Sequence, residues 1–123
     1  MNWLGSREAE GYSIVALPAD FDQNDWLAFR GRVNRALIDR GINRVIVDCR
    51  ENHDLPSIAY GSLTTLSRDF RRIDGMLILV HVSSKDRAVL RRTGIDQFIP
   101  IYRSMSGVFR RQAPAVPRPM ARE

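Results

Sequence analysis

Two short segments composed almost wholly of apolar residues constrain the fold of this chain most. They read RVIVDC at residues 44–49 and MLILVHV at residues 76–82. Apolar residues at successive positions, rather than at alternate ones, indicate strands that are buried on both faces. Such strands belong to the interior of a parallel or mixed sheet, and parallel neighbours need a crossover connection, usually a helix. The two segments therefore predict an α/β domain.

Further extended patterns lie on either side of these strands. Residues 12–17 (YSIVAL) predict a strand that pairs with an earlier one at residues 3–9 through a turn at residues 10–11. Residues 98–102 (FIPIY) predict a last strand, placed at an edge because Pro100 lacks an amide hydrogen. Since a tight turn makes the first two strands antiparallel, we expect a mixed sheet of four to five strands.

Four helices are predicted from apolar residues at helical spacing. The first follows cap-type residues and ends at Gly41, and the third begins at Ser83 and Ser84, either of which can cap it. A strand–helix alternation of this kind implies crossover connections and a sheet covered by helices. The four helices are expected at about residues 22–41, 57–74, 83–93 and 104–111.

Length and composition indicate one globular domain, expected over residues 1–111. The chain has 123 residues, of which 44% are hydrophobic, enough for one core of ordinary size. Residues 112–123 (QAPAVPRPMARE) contain three prolines and no apolar periodicity, which predicts a disordered tail. No segment approaches the roughly 20 apolar residues of a membrane span, and no apolar signal-peptide run is present, so we expect a cytoplasmic protein.

The net charge of +5 does not by itself indicate nucleic-acid binding. The arginines are scattered and have aspartates nearby, which is typical of solvated helix faces. The sequence contains neither a recognition-helix pattern nor a set of strands with interleaved aromatic and basic residues. Nucleic acid is therefore not the expected partner, and an acidic protein surface is the alternative meaning of the charge.

Metal and redox chemistry have little support in the sequence. Cys49 is the single cysteine, which excludes an internal disulfide and a cysteine-rich zinc site, so we expect a small buried hydrophobe at a strand end. Glu51, His53 and Asp54 have the residue types of metal ligands, but three neighbours on one loop rarely complete a coordination sphere. His81 lies within the predicted apolar strand and indicates a core or edge imidazole. We expect no metal and no cofactor.

Enzymatic chemistry is equally weakly indicated. Ser57, His53 and Asp54 have the residue types of a hydrolytic triad, but the local sequence has no nucleophile elbow. No glycine-rich phosphate loop with Rossmann or Walker spacing occurs. The sequence therefore predicts a protein that is not an enzyme.

Ser57 has two interpretations from its position at the start of the second helix. Serine is a preferred N-cap, whose hydroxyl accepts a hydrogen bond from an amide in the first turn. A helix N-terminus is also favourable for a phosphate group, because of its free amides and the positive end of the helix dipole. Phosphorylation there would add about two negative charges without unfolding the helix. Both interpretations can hold together.

Four motifs in a fixed order resemble those of the STAS domain, the fold of sulfate transporters and anti-sigma factor antagonists. The resemblance extends over residues 12–109, and no single motif is specific. The segments that carry it are LPADFD (17–22), VIVDC (45–49), LPSIAYGSL (55–63), and TGIDQFIPIY with RSMSGVF (93–109).

The resemblance implies a fold, a role and a set of site residues. The fold is a mixed sheet of four or five strands, with about four helices packed mainly on one face. The role is that of a regulator that binds an anti-sigma factor or a serine kinase of the anti-sigma type. Such a kinase phosphorylates the serine that corresponds to Ser57, a phosphatase reverses the modification, and Asp22 corresponds to an aspartate close to that serine. The implied partner-binding residues are Asp20, Phe21, Asp22, Leu55, Pro56, Ser57 and Ile58.

The sequence departs from the family motif around Ser57. Pro56 stands where an aspartate is usual, Ile58 where a second serine is usual, Ala59 where glycine is usual, and Ala19 replaces an earlier glycine. These departures favour a second reading, in which the domain is never phosphorylated and serves as a scaffold or as a subunit of a transport or stress-signalling assembly. A third reading is a small-molecule or nucleotide-binding module that uses the loops at the strand ends.

Overall fold

The computed structural model describes residues 7–110. The remainder of the first predicted strand, at residues 3–6, and the predicted tail at residues 112–123 lie outside the described residues. The strands are β1 (Arg7–Ala9), β2 (Tyr12–Ala16), β3 (Arg44–Asp48), β4 (Met76–Val80) and β5 (Ile101–Tyr102), and the helices are α1 (Gln23–Ala36), α2 (Ser57–Arg72), α3 (Ser84–Thr93) and α4 (Met105–Phe109).

The five strands form one mixed sheet in the order β1-β2-β3-β4-β5. β1 and β2 are antiparallel, and each further neighbour pair is parallel. Ile14, Ile46 and Ile78 are neighbours across β2, β3 and β4, so the same face of the sheet is apolar on three successive strands. The predicted mixed α/β sheet is confirmed.

Apolar side chains of β3 and β4 enter a core on each face of the sheet. Val47 and Leu79 pack with the buried sides of α1, α2 and α3, which include Trp26 and Phe70. On the other face, Ile46, Ile78 and Val80 pack against Val108 of α4. Burial of each such large side chain contributes about 1.5–3 kcal/mol. Three helices on one face and a short one on the other confirm the expectation that the helices pack mainly on one side.

Capping residues define where α1 and α3 begin. Asp22 is the N-cap of α1, where its carboxylate accepts from the Asp25 amide and the Asp25 carboxylate accepts from the Asp22 amide. Ser83 is the N-cap of α3 and accepts from the amide of Asp86, as the sequence predicts. α1 ends before Gly41, because a 3-10 turn over Ile38–Arg40 follows it.

Two predictions at the strand ends are wrong. β4 ends at Val80, and His81 is not part of the strand because its backbone adopts φ 59, in the left-handed region, which directs the chain away from the sheet. The last strand is only Ile101–Tyr102, since Ile95–Gln97 form a 3-10 turn ahead of it. Pro100 accepts from the Leu79 amide but has no amide of its own to extend the pairing.

Cys49 is buried directly after β3, as the sequence predicts, with 1% of its surface exposed. Desolvation raises the pKa of its thiol, and the nearby carboxylates of Asp48 and Asp86 raise it further. The reactive thiolate is therefore disfavoured at this position.

Gly75 provides a sharp test of the close contact between the turn that joins α2 to β4 and the residue that precedes β3. A Cβ atom at this position would meet the backbone carbonyl of Asn43, which already accepts from the Met76 amide at 2.7 Å. We expect Gly75→Ala to lower the free energy of unfolding by about 2 kcal/mol, because backbone must move to relieve the overlap. Urea denaturation measures this change.

Gly31→Ala is the matched control, because a Cβ atom there meets nothing within 4 Å and the residue lies inside α1. It should raise the free energy of unfolding by about 0.5–1 kcal/mol through helix propensity. Equal effects of the two substitutions would contradict this account of the contact at Gly75.

Candidate functional site

The loops that follow β2, β3 and β4 meet at one edge of the sheet, because the carboxyl ends of parallel strands lie together. The Leu17 amide donates to the Asp48 carbonyl at 3.0 Å. The side-chain amide of Asn52 donates to the Pro18 carbonyl at 3.0 Å and so ties the second loop to the first. These contacts bring together the two loops that the sequence predicts to bind a partner.

A buried carboxylate fixes the loop that leads into α2. Asp86, 1% exposed, accepts from the Leu55 amide at 3.2 Å and from the Tyr60 hydroxyl at 2.9 Å. The hydroxyl hydrogen of Ser83 is within reach of both Asp86 and the His53 carbonyl, at 3.1 Å each. Burial raises the pKa of Tyr60, and its hydrogen bond to Asp86 raises it further. Residues on both sides of Ser57 are therefore held by α3.

Ser57 is the first residue of α2 and is exposed. The prediction that its hydroxyl caps the helix is wrong, because Pro56 occupies the N-cap position and no side chain makes a capping hydrogen bond. The Ala59 amide donates to the Pro56 carbonyl at 2.9 Å. Ser57 is displaced by one residue from the cap, since Pro56 has the extended backbone that an N-cap requires.

The start of α2 differs electrostatically from the starts of α1 and α3. The first turns of α1 and α3 contain Asp25 and Asp86, in addition to their side-chain caps. The first turn of α2 has no acidic residue and no side-chain cap. The positive end of its dipole is therefore not compensated by a side chain of its own first turn, and added negative charge there is favourable.

The loop that follows β2 has two exposed carboxylates on either side of a buried phenylalanine. Asp20 and Asp22 are exposed, whereas Phe21 is 5% exposed and lies edge-on to Trp26 and Phe29, with ring centroids 5.1 and 5.8 Å apart. The Asp22 carboxylate is engaged with the Asp25 amide at 2.9 Å. The structure thus uses this carboxylate as a helix cap, and Ser57 donates no hydrogen bond to it.

A shallow groove between α1 and α2 begins beside Ser57. Leu27, 64% exposed, and Ile58 are its large apolar residues. The rest of its lining is Arg30, Gly61, Ser62 and Thr65. Sequence reasoning missed Leu27. The sequence does contain a pattern that could identify it. Leu27 is a large apolar residue that lies one position outside the buried stripe of Trp26, Phe29 and Val33.

An ion pair and a hydrogen bond hold the two helices that form this groove. Arg30 binds Asp69 through two nitrogens, at 2.7 and 2.9 Å, and this bond lowers the pKa of Asp69. The Ser62 hydroxyl donates to the Trp26 carbonyl at 3.2 Å. These contacts directly connect α1 and α2, which lie on the two sides of the groove.

The other candidate residues are distributed among different contacts. The Asp54 carboxylate pairs with Lys85 at 2.6 Å. The contact made by His53 is through its backbone carbonyl, which accepts from Ser83. Neither contact orients the His53 imidazole as a base for Ser57. Within residues 7–110, no group of three or more His, Cys, Asp or Glu side chains is placed to hold a metal ion. Glu51 is exposed on the same loop.

The sequence of the chain matches the model of the STAS domain family over residues 6–107. The chain therefore belongs to the STAS domain family. No curated protein sequence matches it. Among the residues that the structure describes, no helix is both long and apolar enough to cross a membrane.

Solved structures of two proteins share the fold at low sequence identity. The crystal structure of TM1081 from Thermotoga maritima, a proposed anti-sigma factor antagonist, has a TM-score of 0.78 at 16% identity and covers 89% of this chain and 94% of its own. The phosphorylated form of the Bacillus cell-fate determinant SpoIIAA has a TM-score of 0.67 at 15% identity, with coverage of 87% and 96%. At these identities the likeness shows the fold.

Two serine substitutions test the placement of Ser57 outside the cap. Ser57→Ala should change the free energy of unfolding by less than about 0.5 kcal/mol, since no cap bond is lost. Ser83→Ala should lower it by about 1 kcal/mol or more, because the cap of α3 is lost. Urea denaturation compares them, and a loss at Ser57 equal to that at Ser83 would contradict the assignment of Pro56 as the cap.

Proposed function

We propose that this STAS domain is a bacterial cytoplasmic regulatory module without enzymatic activity that resembles an anti-sigma factor antagonist. Its partner in this proposal is an anti-sigma factor or a serine kinase of the anti-sigma type. The observation that carries the proposal is the exposed Ser57 at the uncapped start of α2, beside the apolar groove lined by Leu27 and Ile58.

The proposed partner surface combines two loops and the groove. Its exposed or half-buried members are available for direct contact, while Phe21 and Leu55, each 5% exposed, support the loops from beneath. An exposed leucine beside small residues is the kind of anchor position that a partner side chain can bury. The surface residues proposed to touch the partner are Asp20, Asp22, Leu27, Pro56, Ser57 and Ile58.

Phosphorylation of Ser57 is the proposed switch. A phosphate there adds about two negative charges at a helix end that favours them, so the domain stays folded. The same charges lie beside Ile58 at the mouth of the apolar groove, where a docking partner would have to desolvate them. The complex is therefore weakened by local electrostatics, and a phosphatase restores it.

The structure around Pro56 favours a second candidate, a scaffold that is never phosphorylated. Pro56 occupies the N-cap, where the family motif has an aspartate, and it offers no carboxylate to a kinase. Such a scaffold would be a subunit of a transport or stress-signalling assembly. It would use the same groove but would be insensitive to charge at Ser57.

Calorimetric titration of the whole chain with each anti-sigma factor and anti-sigma-type kinase of the same genome tests both candidates. The switch predicts that wild-type protein and Ser57→Ala bind equally, and that Ser57→Asp binds at least tenfold more weakly. The reason is that a carboxylate beside the groove must be desolvated when a partner docks there.

Ser106→Asp is the control for this titration, because Ser106 is an exposed serine of α4 on the other side of the sheet. It should leave the affinity unchanged. Equal affinities for wild type and Ser57→Asp would favour the scaffold, and absence of binding by every such protein would contradict the partner assignment.

A further inference from the structure

An open cavity of about 380 Å³ lies at the carboxyl ends of β3, β4 and β5. Its size is within the usual range of small-ligand sites. Among residues 7–110, no aspartate or glutamate lines it. Five basic residues line it, together with two serines, Val82 and Tyr102; the basic residues are Arg50, His53, His81, Arg87 and Arg103.

Arg87 supplies a donor that lacks an acceptor. Its Nε atom is buried and has no hydrogen-bond partner among the described residues, while its Nη2 donates to the Ser84 hydroxyl at 3.1 Å. A buried guanidinium nitrogen without an acceptor is unfavourable, because the group loses its water without replacement. Arg87 also lines the cavity, so its guanidinium can supply donors to an anion bound there.

Arg50 is held at the cavity by His81. Its Nη2 lies 2.9 Å from His81 Nε2, and because a guanidinium can only donate, the imidazole nitrogen is the acceptor in this contact. His81 adopts φ 59, a conformation uncommon for a residue with a side chain. Arg50, from the loop after β3, and Arg87, from α3, thus line one cavity.

The helix that begins here is not itself the basis of the site. The N-terminus of α3 already has Ser83 as its cap and Asp86 in its first turn. What distinguishes the cavity is that three arginines line it, since guanidinium groups bind tetrahedral oxyanions through paired donors. The ligand class is therefore set by the arginines.

We propose that this cavity binds a tetrahedral oxyanion, namely the phosphate group of a small phosphate monoester. The opening to solvent lets the esterified part extend outward while the phosphate contacts Arg50, Arg87 and Arg103. The cavity shares no residue with the proposed partner surface around Ser57. The proposal is consequently independent of whether Ser57 is phosphorylated.

Calorimetric titration of the full chain with inorganic phosphate and with glycerol 3-phosphate, at constant ionic strength, tests the site. We expect saturable binding of one anion per chain that sodium chloride does not reproduce. Tighter binding of the ester would identify a phosphorylated metabolite as the ligand class. Equal or tighter binding of inorganic phosphate would confirm an oxyanion site but overturn the monoester assignment.

Variants of the arginines separate a built site from general attraction to a basic protein. Arg87→Gln and Arg103→Gln should each weaken binding at least tenfold, whereas Arg91→Gln, on the exposed part of α3 outside the cavity, should not change it. Arg103 is exposed, so its variant tests the site even if Arg87→Gln does not fold. Absence of saturable binding, or equal weakening by all three variants, would overturn the proposal.

Discussion

The architecture depends on two central parallel strands that are apolar on both faces. β3 and β4 pair in register from Arg44 with Met76 to Asp48 with Val80, and their buried side chains must be covered on both sides. α1, α2 and α3 cover one face and α4 covers the other. Because the strands are parallel, the residues that follow each of them emerge at the same edge. This constraint decides where the loops meet.

At that edge, the buried carboxylate of Asp86 joins loops that are distant in sequence. It receives donors from Leu55 and Tyr60, on either side of Ser57, while its own amide is bound by Ser83. The start of α2 is therefore presented rigidly although it has no side-chain cap of its own. A rigid, exposed serine at a helix start can accept a charge without rearrangement of the fold, which is the physical basis of the proposed switch.

The same edge carries two surfaces of different charge. One contains exposed carboxylates of Asp20 and Asp22 and the apolar groove with Leu27. The other is the basic cavity at Arg50 and Arg87. The division follows the strand order, since the first surface lies at the ends of β2 and β3 and the second at the ends of β3, β4 and β5.

The sequence predicts those strands and helices whose residues follow a clear apolar pattern or a capping signal. The apolar runs of β3 and β4 and the Ser83 cap are local signals, and each agrees with the structure. The N-cap of α2 is Pro56 and not Ser57, one residue earlier than the sequence predicts. Both residues suit a helix start, and only the backbone conformation decides between them. The turn at His81 and the isolation of the Arg87 nitrogen depend on tertiary packing, for which the sequence has no local signal.

Intact-mass analysis of the protein purified from its native host, with fragmentation to locate any added group, tests the central claim most directly. Cells are sampled during growth and under stress, since the switch requires both forms to occur. The account predicts a phosphorylated fraction whose phosphate maps to Ser57 and whose abundance changes with conditions. Phosphate located on another residue only, or none under any condition, would contradict the switch.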